Sequence, residues 1–304
     1  MSSQPGRKNR STRAPITRSV ATTAANASAN AEPSGPSLFE YCARPADDFQ
    51  GERLTSVRAF ARRDPTDRKR VKTYVRGFDD ILAGGLPEGY IVLVSGAPGT
   101  MKSSLAFSIL YQNALQEGRK SAYFTLEQSK DITLEHMASL GMADPKAWEH
   151  LKILDMGSIR KNLNYLQGRG TWLELFKMYC NNVMKADRIS ILVVDSLDVL
   201  ETMAKMPDPR ADLYFLFEWL RDLGPLTFLI SEKPVDLGPT SHAPAEAYLA
   251  DGIVQLEMHP TSDLYVQRRL RVTKMRSTKH DPGAFALSFE DGGFEVTRAV
   301  TGPS

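Results

Sequence analysis

The stretch Gly96-Ala97-Pro98-Gly99-Thr100-Met101-Lys102-Ser103 constrains what this chain can fold into more than any other. An apolar run, Tyr90-Ile91-Val92-Leu93-Val94, precedes it, and Ser104-Leu105-Ala106-Phe107-Ser108-Ile109-Leu110 follows. A buried strand, a glycine-bearing turn and an apolar-faced helix therefore succeed one another, the setting in which G-x-x-x-x-G-K-[ST] has physical meaning. Backbone N–H groups of such a loop converge on phosphate, and the helix N-terminus adds positive potential. Lys102 would neutralise β- and γ-phosphate oxygens, and the Ser103 hydroxyl would ligate Mg²⁺. The bland reading is a strand-to-helix turn that binds nothing, but the lysine and hydroxyl stand at the right offset. The candidate nucleotide contacts are Gly96, Ala97, Pro98, Gly99, Thr100, Met101, Lys102, Ser103 and Ser104. Met101 departs from the pattern, which carries glycine there. A Cβ at that point is expected to crowd the phosphate, weakening nucleotide affinity or allowing binding without efficient hydrolysis.

Alternating strand-like and helix-like periods surround the loop. The pattern predicts strands at 90–95, 121–126, 152–155, 189–194 and 226–230, with helices at 102–117, 130–140, 171–186 and 210–222 between them. This order implies a mostly parallel sheet covered by helices on both faces. Runs near 252–257, 264–274, 284–289 and 293–297, broken by turn signals such as Asp291-Gly292-Gly293, read as an antiparallel β extension. A chain of 304 residues with 42% hydrophobic content can bury such a core.

The ends of the chain read differently. Residues 1–50 are expected to form a disordered basic arm: the first 36 carry Arg7, Lys8, Arg10, Arg13 and Arg18 against Glu32, with few large apolar groups. An organelle transit peptide is the alternative, weakened by the thin apolar face of Ile16 and Val20. Residues 51–70 read as a basic linker, 71–298 as the folded domain and 299–304 as a tail. Between 52 and 76, nine basic residues face three acidic ones, a local +6 that could meet nucleic acid, an acidic partner or a neighbouring subunit. No aromatic series accompanies it, so a nucleic-acid partner is not favoured. Net charge is only +2. Cys42 and Cys180 match no disulfide framework or zinc spacing, which points to a reducing, cytoplasmic compartment, and no apolar run approaches a membrane span.

In a parallel sheet, chemistry is sought just beyond the carboxyl ends of the strands. Glu127 follows the strand at 121–126 and could polarise a water in line with a γ-phosphate, although a surface glutamate at a strand end is common. Asp195 closes Ile191-Leu192-Val193-Val194 as a Walker B acid would, holding Mg²⁺ through a water. Ser231-Glu232 could sense the γ-phosphate or merely cap its strand.

Taken with Gly77-Phe78-Asp79-Asp80-Ile81-Leu82-Ala83-Gly84-Gly85-Leu86-Pro87-Glu88-Gly89, Tyr123-Phe124-Thr125-Leu126-Glu127, Val193-Val194-Asp195-Ser196, Ala250-Asp251-Gly252-Ile253-Val254 and Lys274-Met275-Arg276, these elements resemble a single KaiC-type domain of the RecA superfamily across about residues 70–298. The resemblance implies an ATP-binding P-loop NTPase assembled as a homo-oligomer, a six-membered ring with nucleotide between neighbours. It implies Lys102 and Ser103 on phosphate and Mg²⁺, Asp195 as Walker B acid and Glu127 as base. Lys274 and Arg276 would reach the neighbouring subunit's γ-phosphate, with His280 near the nucleoside. From spacing alone, the Lys274-Met275-Arg276 strand could equally present cations to solvent. The family commonly has two acids where this chain has Glu127-Gln128. Clock members carry a Ser-Thr phosphoacceptor pair where this chain has Ala247-Tyr248, so autokinase activity is not expected. Three functions follow: a slow, assembly-dependent ATPase acting as a regulatory switch read by a protein partner, a non-hydrolysing ATP-gated scaffold, or a RecA/RadA-like recombination or repair ATPase. Fold kinship does not establish the last.

Overall fold

The computed structural model describes residues 69–163, 171–206, 208–235, 244–262 and 264–299. The basic arm, most of the basic linker and most of the tail lie outside these. Lys69 and Arg70, at the linker's end, are within them. Arg70 opens the short strand β1 (Arg70–Val71), and its guanidinium donates to the carbonyls of Leu82 and Gly85 at 3.1 and 2.8 Å, so this cation serves the fold. β1 pairs antiparallel with β2 (Leu86–Pro87), on either side of α1 (Phe78–Ile81).

The main body is a nine-stranded sheet. Its parallel strands are β3 (Ile91–Gly96), β4 (Ser121–Thr125), β5 (Leu151–Asp155), β6 (Ile191–Asp195), β7 (Leu226–Ser231) and β8 (Gly252–Pro260). Three more strands, β9 (Val266–Met275), β10 (Ala284–Glu290) and β11 (Gly293–Arg298), continue it antiparallel from β8. The spatial order is β11-β10-β9-β8-β3-β7-β6-β4-β5. The helices are α2 (Lys102–Glu117), α3 (Lys130–Ser139), α4 (Pro145–Trp148), α5 (Met156–Leu163), α6 (Trp172–Asp187), α7 (Leu197–Ala204), α8 (Pro209–Leu223) and α9 (Ala245–Leu249).

β3 is apolar along both faces because both are covered, and its residues divide between two cores by the strand period of two. Val92 and Val94 join the core beneath α2 and the antiparallel strands, whereas Ile91 and Leu93 join the one beneath α6 to α9. The predicted α/β class, parallel sheet and antiparallel extension all stand. Helix and strand starts follow local signals: α6 opens on a capping box between Thr171 and Glu174, and α2 stops at Gly118 in the left-handed conformation. The elements not anticipated from periodicity, α5, α7 and α9 among them, are eight residues or shorter, too short to display a helical repeat.

Candidate nucleotide site

The loop after β3 is shaped by one close approach. A Cβ on Gly96 would lie 2.2 Å from the carbonyl oxygen of Leu256 on adjacent β8, so glycine alone fits there. Thr100 is buried, and its hydroxyl donates to the Ala97 carbonyl at 2.8 Å, folding the loop back on itself. The crest, Ala97, Pro98 and Gly99, is exposed, while Ser104 is buried in the first turn of α2. Lys102 is buried, with Nζ donating to Ala97 O at 3.1 Å. Burial lowers its pKa, and carboxylates at Glu232, Asp195, Glu127 and Asp198 act in the other direction.

Met101 caps α2 in the left-handed conformation, φ 71° and ψ 30°. Its side chain packs against the core beneath α2. The glycine of the pattern therefore has a backbone reason besides room for phosphate: this φ is cheap for glycine and costly for methionine.

Strand order sets the acids in a row beside the loop. β7, β6 and β4 lie successively away from β3, and their carboxyl ends carry Glu232, Asp195 and Glu127. Asp195 accepts a hydrogen bond from the Tyr123 hydroxyl, and the Ser103 hydroxyl lies near it. Burial raises its pKa, and the Tyr123 and Ser103 hydroxyls oppose the rise. Burial likewise raises the Tyr123 phenol well above its usual value. Glu127 is exposed, and its Oε1 accepts from the Ser196 hydroxyl, which also receives the Val199 N–H as N-cap of α7. Lys102, Ser103, Asp195 and Glu127 are thus brought together as the sequence predicts. One hydroxyl and one carboxylate beside a phosphate-shaped loop suit Mg²⁺, which keeps most of its water and leans on substrate phosphates.

Lys274, Arg276 and His280 are not brought to this loop within one chain. Lys274 pairs with Ile253, which pairs with Leu93, and the Arg276 N–H reaches the Asp251 carbonyl level with Ile91. Gly96 stands three residues beyond Leu93 and five beyond Ile91, roughly 10 and 17 Å along β3 at the usual strand rise. The Lys274 ammonium donates to the carbonyls of Ala247 and Tyr248 at 3.0 and 3.1 Å. Arg276 donates to Asp251 Oδ1 at 2.9 Å and to Tyr248 O at 3.0 Å. Burial lowers the Lys274 pKa, and the charge of Arg276 lowers it further. His280 lines a cavity of about 740 Å³ together with Asp80, Ile81, Lys279 and Phe285.

Three residues of the site escaped sequence reasoning. Tyr123 reads as an ordinary strand residue until β6 is known to neighbour β4. Ser196 carried a visible signal, a hydroxyl three residues before Val199 at a helix start. Asp198 joins the field on Lys102 and also accepts the Glu232 N–H at 2.8 Å, linking α7 to the end of β7.

A phosphate-shaped strand-loop-helix, with acids at neighbouring strand ends of a mostly parallel sheet, defines a RecA-like P-loop nucleotide-binding protein. A family model described as "ATPase: KaiC" matches residues 71–300, and the chain belongs to that family. The chain is similar to the circadian clock oscillator protein KaiC of Synechococcus elongatus, 25% identical over 244 residues that span 75% of this chain and 44% of that protein. It is also similar to a UPF0273 protein of Aeropyrum pernix, 31% identical over 239 residues, 75% of this chain and 93% of the relative. The crystal structure of a KaiC-like protein from Pyrococcus horikoshii superposes with a TM-score of 0.63 at 27% identity, covering 75% of this chain and 99% of that one. The chain thus spans less than half of the clock protein and nearly all of the archaeal ones. Among the described residues, no helix is long and apolar enough to cross a membrane.

Proposed function

We propose that the protein hydrolyses Mg²⁺-ATP at sites shared between neighbouring subunits of a ring and acts as a nucleotide-dependent switch for a partner protein. The observation that carries this reading is the separation of the two halves of the site. Lys102, Ser103, Asp195 and Glu127 crowd the carboxyl ends of the parallel strands, while Arg276 lies level with the start of β3 and Lys274 level with its middle, both turned to the carbonyls of α9 and away from the loop. A head-to-tail interface is the arrangement that sets one end of a subunit against the other end of the next.

In such an interface Lys102 and the loop N–H groups hold the phosphates, and Ser103 and Asp195 hold the metal and its water. When bound, Mg²⁺ neutralises charge on the β and γ oxygens. Glu127 takes a proton from the attacking water, with the Ser196 hydroxyl fixing the carboxylate's direction. Lys274 and Arg276 of the neighbour supply positive charge where it develops in the transition state, so turnover depends on assembly. The cavity at His280 and Lys279 is the surface that faces the neighbour's nucleoside in this arrangement.

A second reading, an ATP-gated scaffold that does not hydrolyse, is favoured by the lone acid of Glu127-Gln128, where the family commonly has two. Both are tested by measuring mass in solution with and without Mg²⁺-ATP while following phosphate release in the same samples. Assembly with phosphate release supports the switch, assembly without release supports the scaffold, and a monomer that binds no ATP overturns both.

A further inference from the structure

We propose that Tyr123 is a positioning residue for the metal-binding carboxylate: its buried hydroxyl holds Asp195 in the orientation that faces Ser103. This rests on the Mg²⁺-nucleotide reading above.

The placement follows from strand register. β4 and β6 are parallel neighbours with Tyr123 opposite Val193 and Thr125 opposite Asp195. Side chains alternate between faces, so Tyr123, Val193 and Asp195 share one face, and Asp195 lies diagonally ahead of Tyr123. A diagonal neighbour is within reach of a long aromatic side chain but not of a short one. The tyrosine hydroxyl spans the gap and donates to Asp195 Oδ2.

The ring is held on its other side by the phosphate-loop helix itself. Ser103 and Phe107 are four residues apart on α2 and therefore share a helix face. The Phe107 ring meets Tyr123 edge-on, with centroids 5.3 Å apart and planes at 64°, and Trp148 backs Phe107 at 5.7 Å. Tyr123 is 2% exposed, so its ring cannot swing away without opening the core. For packing alone, phenylalanine would do as well, because the surroundings of the ring are apolar. The hydroxyl is the surplus feature, and a buried hydroxyl is retained where it has a partner. Here the partner is the Asp195 carboxylate, which stands beside Ser103 of the phosphate loop. The same aromatic pair thus ties the direction of Asp195 to the position of the helix that carries Lys102 and Ser103. Outer-shell groups that orient a metal carboxylate act on metal affinity rather than on nucleotide contacts.

The test uses the full-length chain, a fluorescent ATP analogue and Mg²⁺. In Tyr123→Phe the Mg²⁺ concentration for half-maximal nucleotide binding should rise about 10- to 100-fold. Nucleotide affinity in EDTA should stay at the wild-type value, which a merely loosened core would not allow. In the Asp195→Asn background the same substitution should have no further effect, because its route is gone. An unchanged Mg²⁺ midpoint in Tyr123→Phe overturns the proposal, as does an undiminished effect in Asp195→Asn. Should Tyr123→Phe fail to fold, Phe107→Leu keeps the hydroxyl and frees the ring. It must raise the Mg²⁺ midpoint too, and an unchanged midpoint there is equally fatal. A wild-type chain that binds no nucleotide overturns the reading of the site and this role with it. Wild-type binding together with an unmoved midpoint overturns the role of Tyr123 alone.

Discussion

Replacing Met101 by alanine and by glycine separates backbone strain from side-chain packing, because the two substitutions remove different things. Met101 sits at φ 71° and ψ 30°, where an L-residue gives up about 1–2 kcal/mol. Its partly buried side chain, packed on the core beneath α2, returns about 1 kcal/mol of that, since full burial of methionine is worth roughly 1.5–3 kcal/mol. Met101→Ala loses the packing and keeps the strain, an expected destabilisation of about 1 kcal/mol. Met101→Gly loses both and loosens the unfolded chain by about 0.5–1 kcal/mol. Glycine should therefore exceed alanine in stability by about 0.5–1 kcal/mol, the reverse of a helix interior, where alanine exceeds glycine by about 1 kcal/mol. Urea unfolding of the three proteins with comparable slopes reads this difference. Alanine as stable as glycine, or more so, refutes the strain argument. Binding of a fluorescent nucleotide supplies the second arm. With the thioether packed into the core, Met101→Gly should leave affinity unchanged, and a large gain would restore the idea that the side chain crowds phosphate.

Further outcomes follow from the site. Glu127→Gln should lower ATP hydrolysis by about 10²-fold or more while retaining nucleotide, measured by phosphate release and filter binding, and equal turnover would remove Glu127 as base. Lys102→Ala should abolish nucleotide retention and any ATP-driven change in mass. Glu246 is buried on α9, its Oε1 has no hydrogen-bond partner among the described residues, and the charges of Glu201, Lys233 and Asp198 act on it. Burial raises its pKa, so the folded chain holds a proton that the unfolded chain releases, and stability falls as pH rises through that window. Glu246→Gln should be more stable than wild type at pH 8 by about 1 kcal/mol, and the gain should vanish below about pH 4. Thermal unfolding across pH checks this, and a gain independent of pH contradicts it.

Much of this architecture was legible locally. β3 and α2 announce themselves through Tyr90–Val94 and Leu105–Leu110, and the acids Glu127 and Asp195 stand where apolar strands stop. What local sequence withheld is whatever depends on strand order. Tyr123 touches Asp195 only because β4 lies beside β6, and no nearby residue encodes that neighbour. The left-handed φ of Met101 was hidden for a different reason: the residue present is not the one that conformation selects, so the family pattern and the backbone had to be compared. Lys274 and Arg276 illustrate a third limit. Their spacing fits a solvated strand edge, and their carbonyl partners on α9 come from a five-residue helix without a readable period.

The central claim, a site completed by the neighbouring subunit, is tested most directly by mixing two variants that are each inactive for a different reason. Glu127→Gln lacks the base on one side of every interface, and Arg276→Ala lacks the cation on the other. In rings reassembled from equal amounts of the two, roughly a quarter of head-to-tail interfaces pair an intact Glu127 with an intact Arg276. Phosphate release should then recover to about that fraction of wild type. Release no greater than the average of the two variants measured alone would show that Arg276 serves its own chain or none, and would contradict the account.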